Sequence, residues 1–253
     1  MHFHVLTLFP EQVDAFLRTS IIGRALDSGV IRLSTVQIRD YTPDKHRKVD
    51  DTLFGGGTGM LMTCEPVYQA WKSVVPEDKR DDSYHTIFLS PKGGVLTQSK
   101  AAELAGRENL VFLCGHYEGI DQRVLDEIVD EELSIGDYVL TGGEVASCVA
   151  IDCISRLIDG VLPDQSAYEE ESHMAGILEA PQYTKPAVWH DKGVPEILLS
   201  GHHAKIVEWK RLQSLYETWK KRPDMFAELA CSREDWEILL EWDAERKSLG
   251  EED

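Results

Sequence analysis

Short apolar runs separated by amphipathic stretches constrain this chain more than any other feature. HVLTLF at 4–9, TIFLS at 86–90, LVFLCG at 110–115 and SIGDYVLTGGE at 134–144 read as β-rich segments. Between them lie PEQVDAFLRTSIIGRALDSG, CEPVYQAWKSVV, TQSKAAELAGRE and EVASCVAIDCISRLI, whose apolar residues recur at helical spacing. Strands apolar on both faces and separated by helices predict an α/β fold around a mostly parallel sheet, because each parallel neighbour needs a crossover. Thr97 is placed to cap the helix that follows it, with Lys100 where the glutamate of a full capping box would stand.

After Gly160 the pattern changes. DQSAYEEESHMAG at 164–176 is polar, acidic and aperiodic, as a linker would be. Beyond APQYTKPAVW, the stretch HHAKIVEWKRLQSLYETWKKR carries Ile206, Trp209, Leu212, Leu215, Tyr216 and Trp219 in three- and four-residue steps, the stripe of an amphipathic helix. The predicted organisation is an α/β domain over 1–160, a mobile linker over 161–176 and a small all-α domain over 177–253.

A net charge of −19 taken alone argues against a polyanionic partner. Its distribution is uneven, however. Lys205, Lys210, Arg211, Lys220, Lys221 and Arg222 face only Glu208, Glu217 and Asp224 between Ser200 and Asp224, and a second basic cluster runs from Lys45 to Lys48. A solvated face is the plain alternative for both clusters. The five cysteines, Cys64, Cys114, Cys148, Cys153 and Cys231, show no CxxC or metal-ligand spacing, so neither a disulfide framework nor a metal site is expected. With no apolar window long enough for a membrane span and no basic leader at the start, the expectation is a cytoplasmic protein without membrane contact.

LFGGGTGM at 53–60 packs four glycines into five positions. No Lys-Ser/Thr pair follows, which excludes a phosphate-binding P-loop, and Met62 stands where a dinucleotide-binding GxGxxG motif needs its last glycine. Three other loops, LSPKGG (89–94), CGHYEGID (114–121) and SIGDYVLTGGE (134–144), each fall where an apolar run ends. Ligands of open α/β sheets bind outside the carboxyl ends of the strands, so these loops are predicted to converge on one pocket. Their glycines, small hydroxyls and two tyrosines, with one lysine and no arginine, suit an adenine and a ribose better than a phosphate.

LFP near the start, DDTLFGGGTGM, LSPKG, CGHYEGID, SIGDYVLTGGE, IDCISRLIDGVL, ESH, PQYTKP and LLSGHHAKIVEWK, in that order over nearly the whole chain, resemble the bacterial tRNA (guanine-N1)-methyltransferase family of the SPOUT superfamily. The resemblance implies a SPOUT-type parallel sheet with a deep C-terminal trefoil knot, a homodimer with shared active sites, S-adenosylmethionine (SAM) as methyl donor and tRNA as substrate. It implies methylation of N1 of the guanosine immediately 3′ to the anticodon. On this likeness the SAM pocket comprises Leu89, Ser90, Pro91, Gly115, Tyr117, Glu118, Ser134, Ile135, Gly136, Asp137, Tyr138, Val139, Leu140, Gly142 and Gly143. The glycine-rich loop would border the guanine site across the dimer, and Lys205, Lys210, Arg211, Lys220, Lys221 and Arg222 would hold the tRNA backbone.

N1 of guanine is a nucleophile only as its proton leaves, and charge then develops on O6, so the chemistry calls for a base and a cation. The resemblance assigns these roles to an acidic linker residue and to Arg156. Ungapped matching puts Glu171 where the family has aspartate, with Glu169 and Glu170 as neighbours able to substitute. Thr58 and His116 are smaller departures. A helix-surface pairing of Arg156 with Asp152 is the structural alternative for the arginine. Two rival functions remain at this level: a SPOUT methyltransferase for another RNA site, and a non-catalytic RNA-binding SPOUT module.

Overall fold

The computed structural model describes residues 1–56, 59–77, 83–163, 171–174 and 176–248. The chain divides into two compact units, Met1–Gln165 and Ser166–Asp253. The expected linker straddles this division, and its Glu169 and Glu170, like Thr58 of the glycine-rich loop, lie outside the described residues.

The first unit is built on a five-stranded sheet in which every pairing is parallel. Its order is β2 (Arg32–Gln37), β1 (His2–Thr7), β6 (Asn109–Cys114), β5 (Tyr84–Val95), β7 (Glu131–Ser134). Helices cover both faces, as the two-sided apolar strands require. On one face, Phe3, Val5, Leu110 and Phe112 pack with α1 (Pro10–Leu17), α2 (Ser20–Asp27), α4 (Gln98–Ala105) and α6 (Glu144–Ser155). On the other, Leu6, Val111 and Leu113 pack with α3 (Cys64–Lys72) and α5 (Gln122–Ile128). Thr97 caps α4 as predicted, accepting a hydrogen bond from the Lys100 amide at 3.2 Å.

Two sequence readings change. PEQVDAFLRTSIIGRALDSG is not one helix but α1 and α2, broken at Arg18 and Thr19, with Thr19 extended and Ser20 at φ 56°. SIGDYVLTGGE is not a strand. Pairing ends at Ser134, because Gly136 at φ 144° turns the chain out of the sheet and Gly143 opens α6. The amphipathicity of that stretch belongs to a loop. Composition patterns also did not single out β2, α5 or the small antiparallel ribbon of β3 (Asp50–Thr52) and β4 (Met60–Met62), which carries the glycine-rich loop between its strands.

Within the second unit, α8 (His203–Lys221) buries Leu212, Leu215 and Tyr216 of the predicted stripe, the last two against α10 (Arg233–Ser248) around Leu239 and the partly buried Trp219, Trp236 and Trp242. Short helices α7 (Glu196–Leu199) and α9 (Pro223–Phe226) flank α8. Among the described residues the expected all-helical character has one exception, a two-residue antiparallel ribbon of β8 (Val188–Trp189) and β9 (Lys192–Gly193).

At the amino end of the sheet, His4 is buried with its Nε2 lacking a hydrogen-bond partner among the described residues, its ring 3.8 Å from His2 and 5.8 Å from Tyr84. Burial, with help from His2, lowers its pKa from 6.5 to about 4. Between those two values the unfolded chain takes up a proton that the folded one refuses, so stability falls as pH drops from about 6.5 toward 4, by roughly 3 kcal/mol at most. Urea unfolding across that range should show this slope in the parent and a flatter one in His4→Leu; parallel slopes would remove His4 as the cause.

Candidate functional site

The three loops converge at the carboxyl ends of β5, β6 and β7 around one cavity of about 310 Å³. Each reaches it by a different device. In β5 the strand bulges, so that Leu89 and Gly94 both face Leu133 and the residues between them project from the sheet edge. Ser90 is buried there and its Oγ accepts the Lys92 amide at 3.2 Å. After β6 the chain turns at Tyr117, φ 61°, and Ile120 pairs with Met62 of β4 while the Glu118 amide donates to the Met60 carbonyl at 3.0 Å. This ties the end of the glycine-rich loop to the cavity rim. After β7, Ser134 Oγ accepts the Gly136 amide at 3.1 Å and Tyr138 OH donates to the Ile135 carbonyl at 3.0 Å.

Every residue that the family resemblance assigned to the SAM pocket lines this cavity except Asp137. Phe88, Lys92, His116, Gly119, Ile120, Gln122, Leu125, Glu132, Leu133, Thr141 and Ala146 also line it. The walls are largely backbone and apolar side chains, with Tyr117 and Tyr138 half exposed at the opening. Such a lining fits an uncharged heterocycle and a ribose, the two parts of SAM that lie beyond its methionine, and a cavity of this size falls in the usual range for small-molecule sites.

A buried carboxylate holds the loops together. Glu144, the first residue of α6, is 3% exposed, and its two oxygens divide between Thr7 Oγ1 at the end of β1 and His116 Nε2 at 2.7 Å. Thr7 Oγ1 in turn accepts the Phe9 amide at 2.9 Å, and the Phe9 ring meets the His116 ring edge-on at 4.9 Å. Alongside, the Gly143 amide donates to the Gly115 carbonyl at 3.2 Å. The approach is so close that a Cβ on Gly143 would sit 2.7 Å from Cys114 Cα, which is why only glycine fits there. The sequence reading missed this network because an acid in the first turn of a helix is ordinarily a surface residue favoured by the helix dipole. Only the buried location of its partner Thr7 distinguishes it.

Arg156 and Glu171 belong to different units. Arg156 is the carboxyl cap of α6 in the first, its amide bonded to the Asp152 carbonyl at 3.2 Å. Glu171 is half-buried in a turn of the second, its carbonyl accepting the Met174 amide at 3.3 Å. Of the basic residues of α8 and its cap, Arg211 pairs with Glu208 and Asp235, Lys220 with Asp243 at 3.0 Å, Lys221 with Glu217, and Arg222 with Asp224 at 2.6 Å. Those charges are partly neutralised within the unit. Lys205 and Lys210 are exposed and make no ion pair among the described residues.

Removing the Glu144 carboxylate leaves a buried hydroxyl and imidazole without their partner, so Glu144→Ala should cost about 3 kcal/mol. Chemical denaturation should show that loss, and hydrogen exchange should show faster opening at 114–121 and 134–143 than at α3. Parental stability, or loosening confined to α6, would mean the carboxylate does not clasp the loops.

No helix among the described residues is long and apolar enough to cross a membrane, and none of their His, Cys, Asp and Glu side chains gather as a metal-holding group. A family model described as tRNA (Guanine-1)-methyltransferase TrmD matches residues 1–228. A tRNA (guanine-N(1)-)-methyltransferase of Ruminiclostridium cellulolyticum is 54% identical over 229 residues, covering 90% of this chain and 97% of the relative. Those of Clostridium botulinum strain Kyoto and Alkaliphilus oremlandii are 50% and 49% identical, covering 96% and 94% of this chain and 98% and 96% of the relatives. With its family match spanning both units and half its residues shared with these enzymes, the chain belongs to the tRNA (guanine-1)-methyltransferase family TrmD.

Proposed function

We propose that this protein methylates N1 of the guanosine immediately 3′ to the anticodon of tRNA, using SAM, as a homodimer whose active sites each combine two copies. Methylation of tRNA at guanine N1 follows from membership of the family. The observation that carries the finer reading is the convergence of the three glycine-bearing loops on one cavity whose lining suits SAM. SAM, bound there, supplies an electrophilic methyl group.

The chain's own residues do the rest. Glu171 accepts the proton of guanine N1, and Arg156 holds the charge that develops on O6, the two terms that turn an amide-like nitrogen into a nucleophile. Glutamate at this position reaches further than the family's aspartate, and the turn that carries Glu171 sets where its carboxylate arrives. The deep trefoil knot belongs to this reading too. What supports it is the close approach of segments distant in the chain: Gly143 lies against Cys114, and the Leu96 amide donates to the Ser134 carbonyl at 2.8 Å. The functional division into 1–160, 161–176 and 177–253 is likewise part of the proposal.

An exposed apolar surface supports the homodimer. Val145 and Val149, one turn apart on α6, stand 60% and 42% exposed beside Val139 and Leu140 of the cavity loop, and Phe54 of the glycine-rich loop is fully exposed. On this reading a second copy covers that surface and contributes its glycine-rich loop and Arg156 to the shared site. The phosphate-holding role proposed for Lys205, Lys210, Arg211, Lys220, Lys221 and Arg222 rests chiefly on Lys205 and Lys210, which make no ion pair among the described residues.

The test is to incubate the protein with SAM and tRNA transcripts that differ only at the guanosine after the anticodon, and to map the methylated atom by mass spectrometry. Methylation elsewhere would support another RNA site, and none at all a non-catalytic module. Glu171→Gln should lower the single-turnover rate by about a hundred- to ten thousandfold with SAM and tRNA binding little changed, as expected for a lost general base. A fully active Glu171→Gln would move the base to another residue. Mixing Glu171→Ala with Arg156→Ala subunits should restore activity if the two residues serve one site from different copies; verified subunit exchange without recovery would refute that sharing.

A further inference from the structure

We infer that Trp189, backed by His190 on the ribbon of β8 and β9, is a stacking platform for an unpaired base of the tRNA, a contact that rests on tRNA being the substrate. The two residues joining the strands, His190 and Asp191, have φ values of 48° and 62°. Paired left-handed residues make the tight hairpin turn whose twist matches the strands. This turn folds the imidazole back over the indole, with ring centroids 4.1 Å apart and planes within 12°. One aromatic surface is thereby presented, and Trp189 stays 62% exposed, as does its chain neighbour Val188.

Trp189 takes no part in the core of the second unit, which lies around Leu215, Tyr216 and Leu239, so that core does not explain its position. Charge identifies the partner. Lys192 is the cross-strand partner of Trp189 and Lys185 precedes it by four residues; neither makes an ion pair among the described residues, and Asp191 is the only acid from Tyr183 to Pro195 in a chain whose net charge is −19. A locally basic surface around an exposed, pre-stacked aromatic is the arrangement by which proteins hold single-stranded or looped RNA, bases on rings and phosphates on lysines.

The experiment measures equilibrium binding of a tRNA transcript to the parent, Trp189→Ala and Trp189→Phe proteins at several salt concentrations, with SAM affinity and molecular mass in solution followed in parallel. Losing one stacked base should weaken tRNA binding about five- to a hundredfold in Trp189→Ala and much less in Trp189→Phe. The slope of affinity against salt should not change, since no phosphate contact is lost, and SAM affinity and mass should match the parent. Parental tRNA affinity in Trp189→Ala would overturn the platform, as would a fall in mass, which would make the indole a contact between copies. A parent that binds tRNA but leaves N1 unmethylated would sink the catalytic reading, while a binding loss in Trp189→Ala would still support this one.

Discussion

The site in the first unit depends on one buried carboxylate. Glu144 stands at the start of α6 with almost no solvent contact, and its oxygens satisfy a hydroxyl from β1 and an imidazole from the loop after β6. A charge in that setting is tolerable only because both oxygens are engaged, and the same requirement fixes where the two neighbouring loops must lie. The bulge of β5 and the turn at Tyr117 complete the wall, but each is local. Glu144 relates segments more than a hundred residues apart in the chain.

How far the sequence could be read follows from which interactions are local. Two-faced apolar strands with helices between them dictated a parallel sheet, and the stripe on α8 dictated a buried face, because burial periodicity is written directly into residue spacing. Thr97 as a cap was legible for the same reason, since its partner is three residues away. Segment 134–144 was read correctly as a pocket loop but also as a β-rich run, because Ile135, Tyr138, Val139 and Leu140 are strand-like residues and only the φ of Gly136 and the register of β7 reveal where pairing ends. The Glu144 network was illegible because its partners are remote, and the pairs of Arg211 with Asp235 and of Lys220 with Asp243 were illegible because those acids lie on α10, whose placement no spacing rule gives.

Those ion pairs alter how charge is distributed in the second unit. Counting lysines and arginines along α8 makes it look like a cationic strip, whereas Asp235 and Asp243 of α10 neutralise much of it. The pairing depresses the Asp243 pKa to about 2, with Lys247 and Lys220 as the main causes. The free positive charge is displaced toward the start of α8 and toward the ribbon that precedes it. An acidic protein can in this way offer a small basic surface to RNA while the rest of its field discourages indiscriminate contact with polyanions.

The composition of the cavity wall bears on inhibitor design. Gly142 and Gly143 press against His116 and Cys114 so closely that any side chain added there would strike the opposing loop before it reached the cavity. A compound that reads backbone amides and carbonyls in that wall contacts carbonyls that no substitution can delete and amides that only proline removes, and Gly142 and Gly143, where a new side chain would block it, are positions the loop packing forbids. Resistance to such a compound would have to arise at the mouth, around Tyr117 and Tyr138, where side chains face solvent and can change without disturbing the clasp.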